Sequence, residues 1–438
     1  MTQQPSYLIL GAGVFGVSTA YTLIQQYPSA KITLVDRDAF NAPSRVAASW
    51  DWNKVVRADY SDIVYCKLAL EAQDVFRSDP LYKPYFHESG IFWVCRDDYA
   101  KEVLENYKKL GRKADLKAVS VEEAKKLYGG LFEDADYSGG VQNVLINLTS
   151  GWANAGDALI AVTKKCVELG VEYIVGDVET LTFDSSGAVC TGVKTAKGDV
   201  YIADKIILST GAYTARLLEQ SARSSGKKDI SAGGRIVAGG ITTGMATLDE
   251  ESHKRFKDMP VGVQGYTAST GPFIGSLPPT RDRELKWWGQ KIFKNTQNVL
   301  GTPLSAPPNT PDYNQWNVSP KLKQDIDYAN KVFYGKKGAT WKMEKHRICW
   351  DAFTTSSDFI ISPHPSCPSS LYVATCGSFH GYKFFPVLGK YIVQMMQGVL
   401  EHELKDKWAW DRERPDEKLN PDWPRWEMKE LEGERARL

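Results

Sequence analysis

The sequence predicts an α/β fold in two interleaved parts, one a dinucleotide-binding half on a parallel sheet, the other built on a mixed, largely antiparallel sheet. Three observations predict it. An apolar run, a glycine turn, a helix and a second apolar run ending in an acid succeed one another over Tyr7–Asp36. Short β-like runs return between Val171 and Ser209 and close on Thr210-Gly211-Ala212. Ile236–Ile241, Val261–Gln264 and Leu285–Trp288 are β-like again and are candidates for a second sheet. At 438 residues the chain is long enough for two domains. The expected division gives 1–60, 150–232 and 345–400 to the dinucleotide half, 61–149 and 233–344 to the second half, and 401–438 to a C-terminal surface segment.

The first unit carries the most information. Tyr7-Leu8-Ile9-Leu10 runs into Gly11-Ala12-Gly13-Val14-Phe15-Gly16, the helix-like stretch continues to Ile24, and Lys31–Val35 ends at Asp36 and Arg37. Each glycine of a G-x-G-x-x-G turn has its own reason: Gly11 permits the tight turn, Gly13 lets backbone approach a pyrophosphate, and Gly16 lets the helix pack closely on the strand. The helix N-terminus offers free N–H groups and a positive dipole end to phosphate. Asp36, 20 residues after Gly16, is placed to accept hydrogen bonds from ribose hydroxyls. The order strand, glycines, helix, strand, acid makes this half Rossmann-like.

Ala47–Tyr60 is polar and aromatic, with Trp50, Asp51, Trp52, Asn53, Lys54 and Arg57 close together. Ser61–Arg77 has helical spacing, His87–Cys95 reads as a strand, and Asp97–Leu110 and Ser120–Leu127 read as helices. A helix is expected from about Asn154 to Leu169, capped by Gly170. Val171–Val175, Glu179–Phe183, Val189–Thr195, Asp199–Ala203 and Lys205–Ser209 read as strands separated by glycine-containing turns. The turn Gly176-Asp177-Val178 is either a place where backbone meets an adenine or a simple turn. Gly301–Pro311 reads as a surface loop, Lys321–Tyr334 as a helix, Leu371–Thr375 as a strand and Val387–Gln397 as a helix. Pro415–Trp426 is expected to wrap the surface.

Composition narrows the function. A net charge of +1 gives no reason to expect nucleic acid or an anionic membrane. No run of about 18 apolar residues suggests a membrane span, and the N-terminus lacks the basic start of a secretory signal. Seven cysteines without a C-x-x-C are the usage of a reducing compartment. The six histidines show no metal-ligand spacing, so no metal is expected. The final Ala436-Arg437-Leu438 is a close variant of a peroxisomal address, which implies an import receptor as partner. A monomer is favoured.

Several segments together resemble the flavin-dependent amine oxidases, the family of monomeric sarcosine oxidase, pipecolate and saccharopine oxidases and the fungal fructosyl amino acid oxidases. The Gly11–Gly16 unit with Asp36 is similar to their FAD-binding motif, and Ile206–Ala212 to the later strand-and-glycine motif. Arg347-Ile348-Cys349-Trp350-Asp351 resembles the flavinylation segment, and Gly377–Phe384 the C-terminal glycine-rich turn. Ser150-Gly151-Trp152 is most similar to the fructosyl amino acid oxidases.

The resemblance implies FAD, attached through the Cys349 sulfur, with Lys54, Val178, Gly211, Gly381, Tyr382 and Lys383 also contacting the cofactor. It implies that Lys286 stands beside the flavin ring, where an ammonium would stabilise superoxide as oxygen takes an electron. Lys54 is expected close to the ring as well. Arg57 is similar to the family's carboxylate-binding arginine and Lys383 to the lysine completing that clamp, a guanidinium fork with an added point charge. Trp50 and His380 fall where relatives carry other substrate-site residues, a histidine and a basic residue respectively. The activity implied is oxidation by O2 of a secondary amine on an amino acid, giving an imine and hydrogen peroxide. Two other readings stay open: a flavin dehydrogenase that passes electrons to a partner, and a dinucleotide-binding protein without catalysis.

Overall fold

The computed structural model describes residues 4–42, 45–265, 273–310 and 313–432. The Ala436-Arg437-Leu438 ending lies outside the described residues.

The N-terminal unit folds as its spacing dictates. Strand Tyr7–Leu10 lies at the heart of a six-stranded sheet and pairs in parallel with Ile32–Asp36 on one side and Lys205–Leu208 on the other. Glu172–Val175 and Leu371–Thr375 extend the parallel array, and Ile360–Pro363 adds an antiparallel edge. A sheet buried on both faces needs apolar residues at successive positions. Tyr7 and Ile9 pack in one core cluster with residues of helices Val14–Gln26, Ala155–Glu168 and Phe385–Met396. Leu8 and Leu10 pack on the other face with helix Thr214–Ser225 and the small sheet of Val178–Phe183, Cys190–Thr195 and Val200–Ile202.

The second sheet is mixed and mainly antiparallel. Its strands lie in the order Met343–Phe353, Val237–Thr247, Glu284–Lys294, Ile274–Leu277, Val261–Gln264, Ile91–Cys95, Asn143–Asn147 and Leu116–Val119. Trp426–Glu427 joins the Glu284–Lys294 strand in parallel. Leu285 and Trp287 pack with Ile326, Ala329 and Phe333 of helix Pro320–Gly338. The period of two then turns Lys286 and Trp288 to the opposite face, where both line a cavity. The Met343–Phe353 strand, expected with the dinucleotide half, is hydrogen-bonded into this second sheet, so it carries Cys349 from one half toward the other.

Several local expectations change. His87–Cys95 is two strands, Phe86–His87 and Ile91–Cys95, broken at Gly90 with φ +88°. Ser120–Leu127 holds only one helical turn, Val121–Ala124, followed by a 3-10 turn. Gly301 is not in a plain loop but turns a hairpin between Thr296–Val299 and Thr302–Ser305. The Pro415–Trp426 segment is anchored, with Trp423 buried and Pro421 and Asp422 forming cavity wall. Among the described residues no helix is long and apolar enough to cross a membrane.

Candidate active site

Two adjoining cavities meet at the join of the sheets. The first runs along the carboxyl ends of the parallel strands, over the glycine turn. Gly11 has φ +96°, and a Cβ there would come within 2.4 Å of the Ser209 carbonyl oxygen. A Cβ on Gly16 would come within 1.9 Å of the Gly11 carbonyl oxygen, so the helix sits tight on the turn. Gly11, Gly13, Val14 and Phe15 line the cleft, whereas Ala12 and Gly16 do not. Ala12 acts from behind, its N–H donating to Asp36 Oδ2 at 2.6 Å. That carboxylate is clamped by Arg45 at 2.7 Å, a buried arginine that no motif or spacing marks. Asp36, Arg37, Val178 and Gly211 line the same cleft, with Arg37 stacked 4.4 Å from the Tyr213 ring centre. Val14 N–H donates to Ser49 Oγ at 3.0 Å, at the start of the helix. Open helix amides, a glycine turn without side chains and a strand-end acid fit the adenosine diphosphate portion of a dinucleotide.

The second cavity, about 540 Å³, lies under the second sheet. Lys54, Cys349, Phe379 and Tyr382 line both cavities and mark the join, while Gly381 faces only the first. Cys349 is 2 % exposed, and its Sγ is 3.8 Å from Lys54 Nζ. Lys383, expected at both cofactor and substrate, lines only the second cavity.

Arg57 and Lys383 stand in that second cavity together. The Arg57 guanidinium lies between the rings of Tyr60 and Trp93, 4.4 and 4.7 Å from their centres. It donates to the Asp59 carbonyl oxygen and, at 3.1 Å, to Tyr99 Oη. Asp59 is itself fixed by Ser150 Oγ at 2.7 Å and Asn147 Nδ2 at 2.6 Å. Lys383 Nζ donates to the His380 carbonyl oxygen at 3.0 Å. Burial, then the Arg57 and Lys54 cations, holds its proton affinity well below that of an ordinary lysine. Among the described residues neither Arg57 nor Lys383 has a carboxylate within salt-bridge distance. His380 also lines this cavity, its ring fixed by Tyr60 Oη at 3.0 Å and the Ser357 carbonyl at 2.8 Å. Burial, with Lys383 next, pushes its pKa down to about 3, so the ring is neutral.

Trp50 is a correction. Its indole lines neither cavity; it packs against Trp52 and Trp316 at 6.1 Å and under Arg347 at 5.1 Å. The neighbouring Asp51, to which the sequence assigned no role, lines the second cavity and ties Lys286 to Lys54 beside the join. Its buried carboxylate lies 2.6 Å from Lys286 Nζ and 2.9 Å from Lys54 Nζ. Lys286 is 2 % exposed; burial pulls its pKa down to about 8, with Asp51 resisting and Lys54 adding to the fall. Asp422 was missed as well. It reaches the cavity wall from the C-terminal segment, and burial lifts its pKa to about 6.

A dinucleotide cleft sharing a wall with a cation-lined chamber defines the chain as a cofactor-dependent oxidoreductase. The family of FAD dependent oxidoreductases matches residues 6–395, and the chain belongs to it. L-saccharopine oxidase of Schizosaccharomyces pombe is 30% identical over 94% of this chain and 94% of its own. Monomeric sarcosine oxidase of Bacillus sp. is 23% identical over 91% and 93%. Fructosyl peptide oxidase from E. terrenum superposes with a TM-score of 0.81 over 100% of this chain and 99% of its own, at 21% identity, a likeness of fold. The protein is an FAD-dependent oxidoreductase of the amine-oxidising branch, acting on a CH–NH donor. A purely binding role is thereby set aside.

Proposed function

We propose that the enzyme oxidises the secondary amine of an N-substituted amino acid, of the fructosyl amino acid, saccharopine, sarcosine or pipecolate class, with O2 as acceptor. The products are an imine, hydrolysed by water where it is not cyclic and stable, and hydrogen peroxide. The observation that carries this reading is the pair Arg57 and Lys383, a half-buried and a buried cation without a carboxylate partner among the described residues, in the chamber that adjoins the cofactor cleft. Buried charge calls for a counterion, and a substrate carboxylate supplies it. A guanidinium locked between two rings gives a planar fork in fixed orientation, and Lys383 adds a point charge.

Bound FAD supplies the two-electron acceptor and the route to oxygen. The chain's own residues orient the substrate and place charge. Tyr60, Trp93 and the neutral His380 shape an aromatic wall that keeps water from the amine. A Lys286 ammonium offers positive charge where oxygen takes its first electron. We place the flavin ring at the join, held by Cys349 through a thioether. Acid precipitation tests this: yellow colour is expected to stay in the pellet and to move to the supernatant in Cys349→Ala. Colour washed free of the unaltered protein would remove the attachment.

The reading as a whole is tested by oxygen uptake and peroxide release over a panel of fructosyl amino acids, saccharopine, sarcosine and pipecolate. Flavin reduction by one of them without oxygen consumption would favour electron transfer to a partner instead. Peroxide release also gives the Ala436-Arg437-Leu438 ending a purpose as a peroxisomal address. A fluorescent protein fused ahead of the chain should become punctate, and diffuse when those three residues are removed.

A further inference from the structure

The Lys286 ammonium does not stand alone in its corner. Asp51 Oδ1 is 2.6 Å from Lys286 Nζ, Asp51 Oδ2 is 2.9 Å from Lys54 Nζ, and Arg347 Nη1 is 4.0 Å from the same Oδ2. One fully buried carboxylate is shared by three cations from three separate strands, Asn53–Val56, Glu284–Lys294 and Met343–Phe353. Asp51 is also fixed independently, its main-chain carbonyl accepting from Gly156 N–H at 2.8 Å and its carboxylate Oδ1 from Trp52 N–H at 2.9 Å. Among the described residues Lys286 Nζ has one other hydrogen-bond partner, the Asn53 carbonyl at 3.0 Å. The groups facing Lys286 are therefore Asp51 and Lys54 from the Ala47–Tyr60 stretch, Cys349 from the Met343–Phe353 strand, Arg347 acting through Asp51, and the Trp52 ring at 5.9 Å.

We propose that Asp51 is a positioning residue that fixes the Lys286 ammonium at the join of the two cavities and sets the pH range over which it stays charged, in competition with Lys54. Without the carboxylate, Lys286 would be a buried cation beside a second cation, and the charged form would be disfavoured by both burial and repulsion. Without Lys54, Asp51 would serve Lys286 alone and hold its proton more firmly. The burial-lowered affinity of Lys286, near pH 8, places this competition where it alters the charge under ordinary conditions.

The inference rests on the oxygen-side role given to Lys286 above, and the test separates the two. Lysine labelled with 13C at Cε is titrated by NMR in the full-length holoenzyme, with the Lys286 signal assigned from its loss in Lys286→Met. Asp51→Asn should weaken the proton affinity of Lys286 at least tenfold, and Lys54→Met should strengthen it, so the two midpoints move in opposite directions. In stopped-flow experiments the pH at which reoxidation by O2 slows should follow the same shifts, while anaerobic reduction by substrate keeps its pH profile in Asp51→Asn. Asp51→Glu should restore most of the affinity. Unmoved midpoints in both variants overturn the proposal. If Asp51→Asn yields no folded protein, the Lys54→Met midpoint decides alone: an alkaline shift supports it and none overturns it. Shifted midpoints with normal reoxidation in Lys286→Met would uphold Asp51's control of that lysine while removing the oxygen-side role.

Discussion

At the scale of single residues, the chamber is governed by how each cation is balanced. Arg57 is held by rings, one carbonyl oxygen and a tyrosine hydroxyl, Lys54 and Lys286 by Asp51, and Lys383 by one carbonyl oxygen and the Tyr60 and Phe384 rings, with no carboxylate among the described residues. Lys383 is thus the cation whose charge depends most on what enters. Its affinity for a proton is held down by burial and by Arg57, so a bound carboxylate raises it and binding takes up a proton. The affinity for a substrate-like carboxylate inhibitor should fall as pH rises through the depressed Lys383 value. Lys383→Met should flatten that dependence and weaken binding about 10²-fold, as removal of one partner of a buried charge pair does. Arg57→Met should weaken binding by a similar factor but keep a pH dependence, moved to higher pH because a cation that depresses Lys383 is gone. Isothermal titration in two buffers of different ionisation enthalpy reads both affinity and proton uptake; equal pH profiles for the two variants would refute the assignment.

At the scale of elements, the glycine turn was legible because its constraints are local and steric. A Cβ 1.9 Å from the Gly11 carbonyl oxygen has nowhere to go. Gly16→Ala should therefore force the helix off the strand, lower stability by roughly 1–3 kcal/mol or more, and reduce the flavin incorporated; the flavin-to-protein absorbance ratio of the purified protein measures that loss. An unaltered flavin content would show that the helix can shift without loss of the cleft. The second sheet was legible in part, since apolar runs marked its central strands but not that the Val237–Thr247 and Glu284–Lys294 strands continue well beyond them. Charge balance was not legible at all. Asp51 is separated from Lys286 and Arg347 by more than half the chain, and no spacing rule relates residues that only the tertiary fold brings together. Trp50 shows the converse: a position matched by resemblance turned out to be packed on Trp316, a contact made by the fold and not by the neighbouring sequence. Asp422 was hidden because a proline-rich charged segment reads as surface, although this one turns inward beside Trp423.

At the scale of the whole molecule, the fold buries groups that tolerate acid badly. His364 is fully buried, packed on Trp410 with ring centres 4.5 Å apart, and burial pushes its pKa down to about 4. The unfolded chain, with an ordinary value of 6.5, takes up a proton first. The stabilisation is complete above pH 6.5 and is lost as pH falls toward 4, on the order of 3 kcal/mol for this side chain. His380, depressed to about 3, extends the loss to lower pH. The melting temperature should therefore fall between pH 6.5 and 4, and His364→Gln should flatten part of the slope; parallel slopes would refute it. The strand order of the parallel sheet carries a further consequence. Its centre is made of Tyr7–Leu10, yet flanking strands come from Lys205–Leu208 and Leu371–Thr375. On a translating ribosome the glycine turn emerges early and must wait for most of the polypeptide before its sheet closes. Flavin capture is thus a late event in biogenesis, and a chain stalled midway in synthesis holds a nucleotide fingerprint with no crevice to use it.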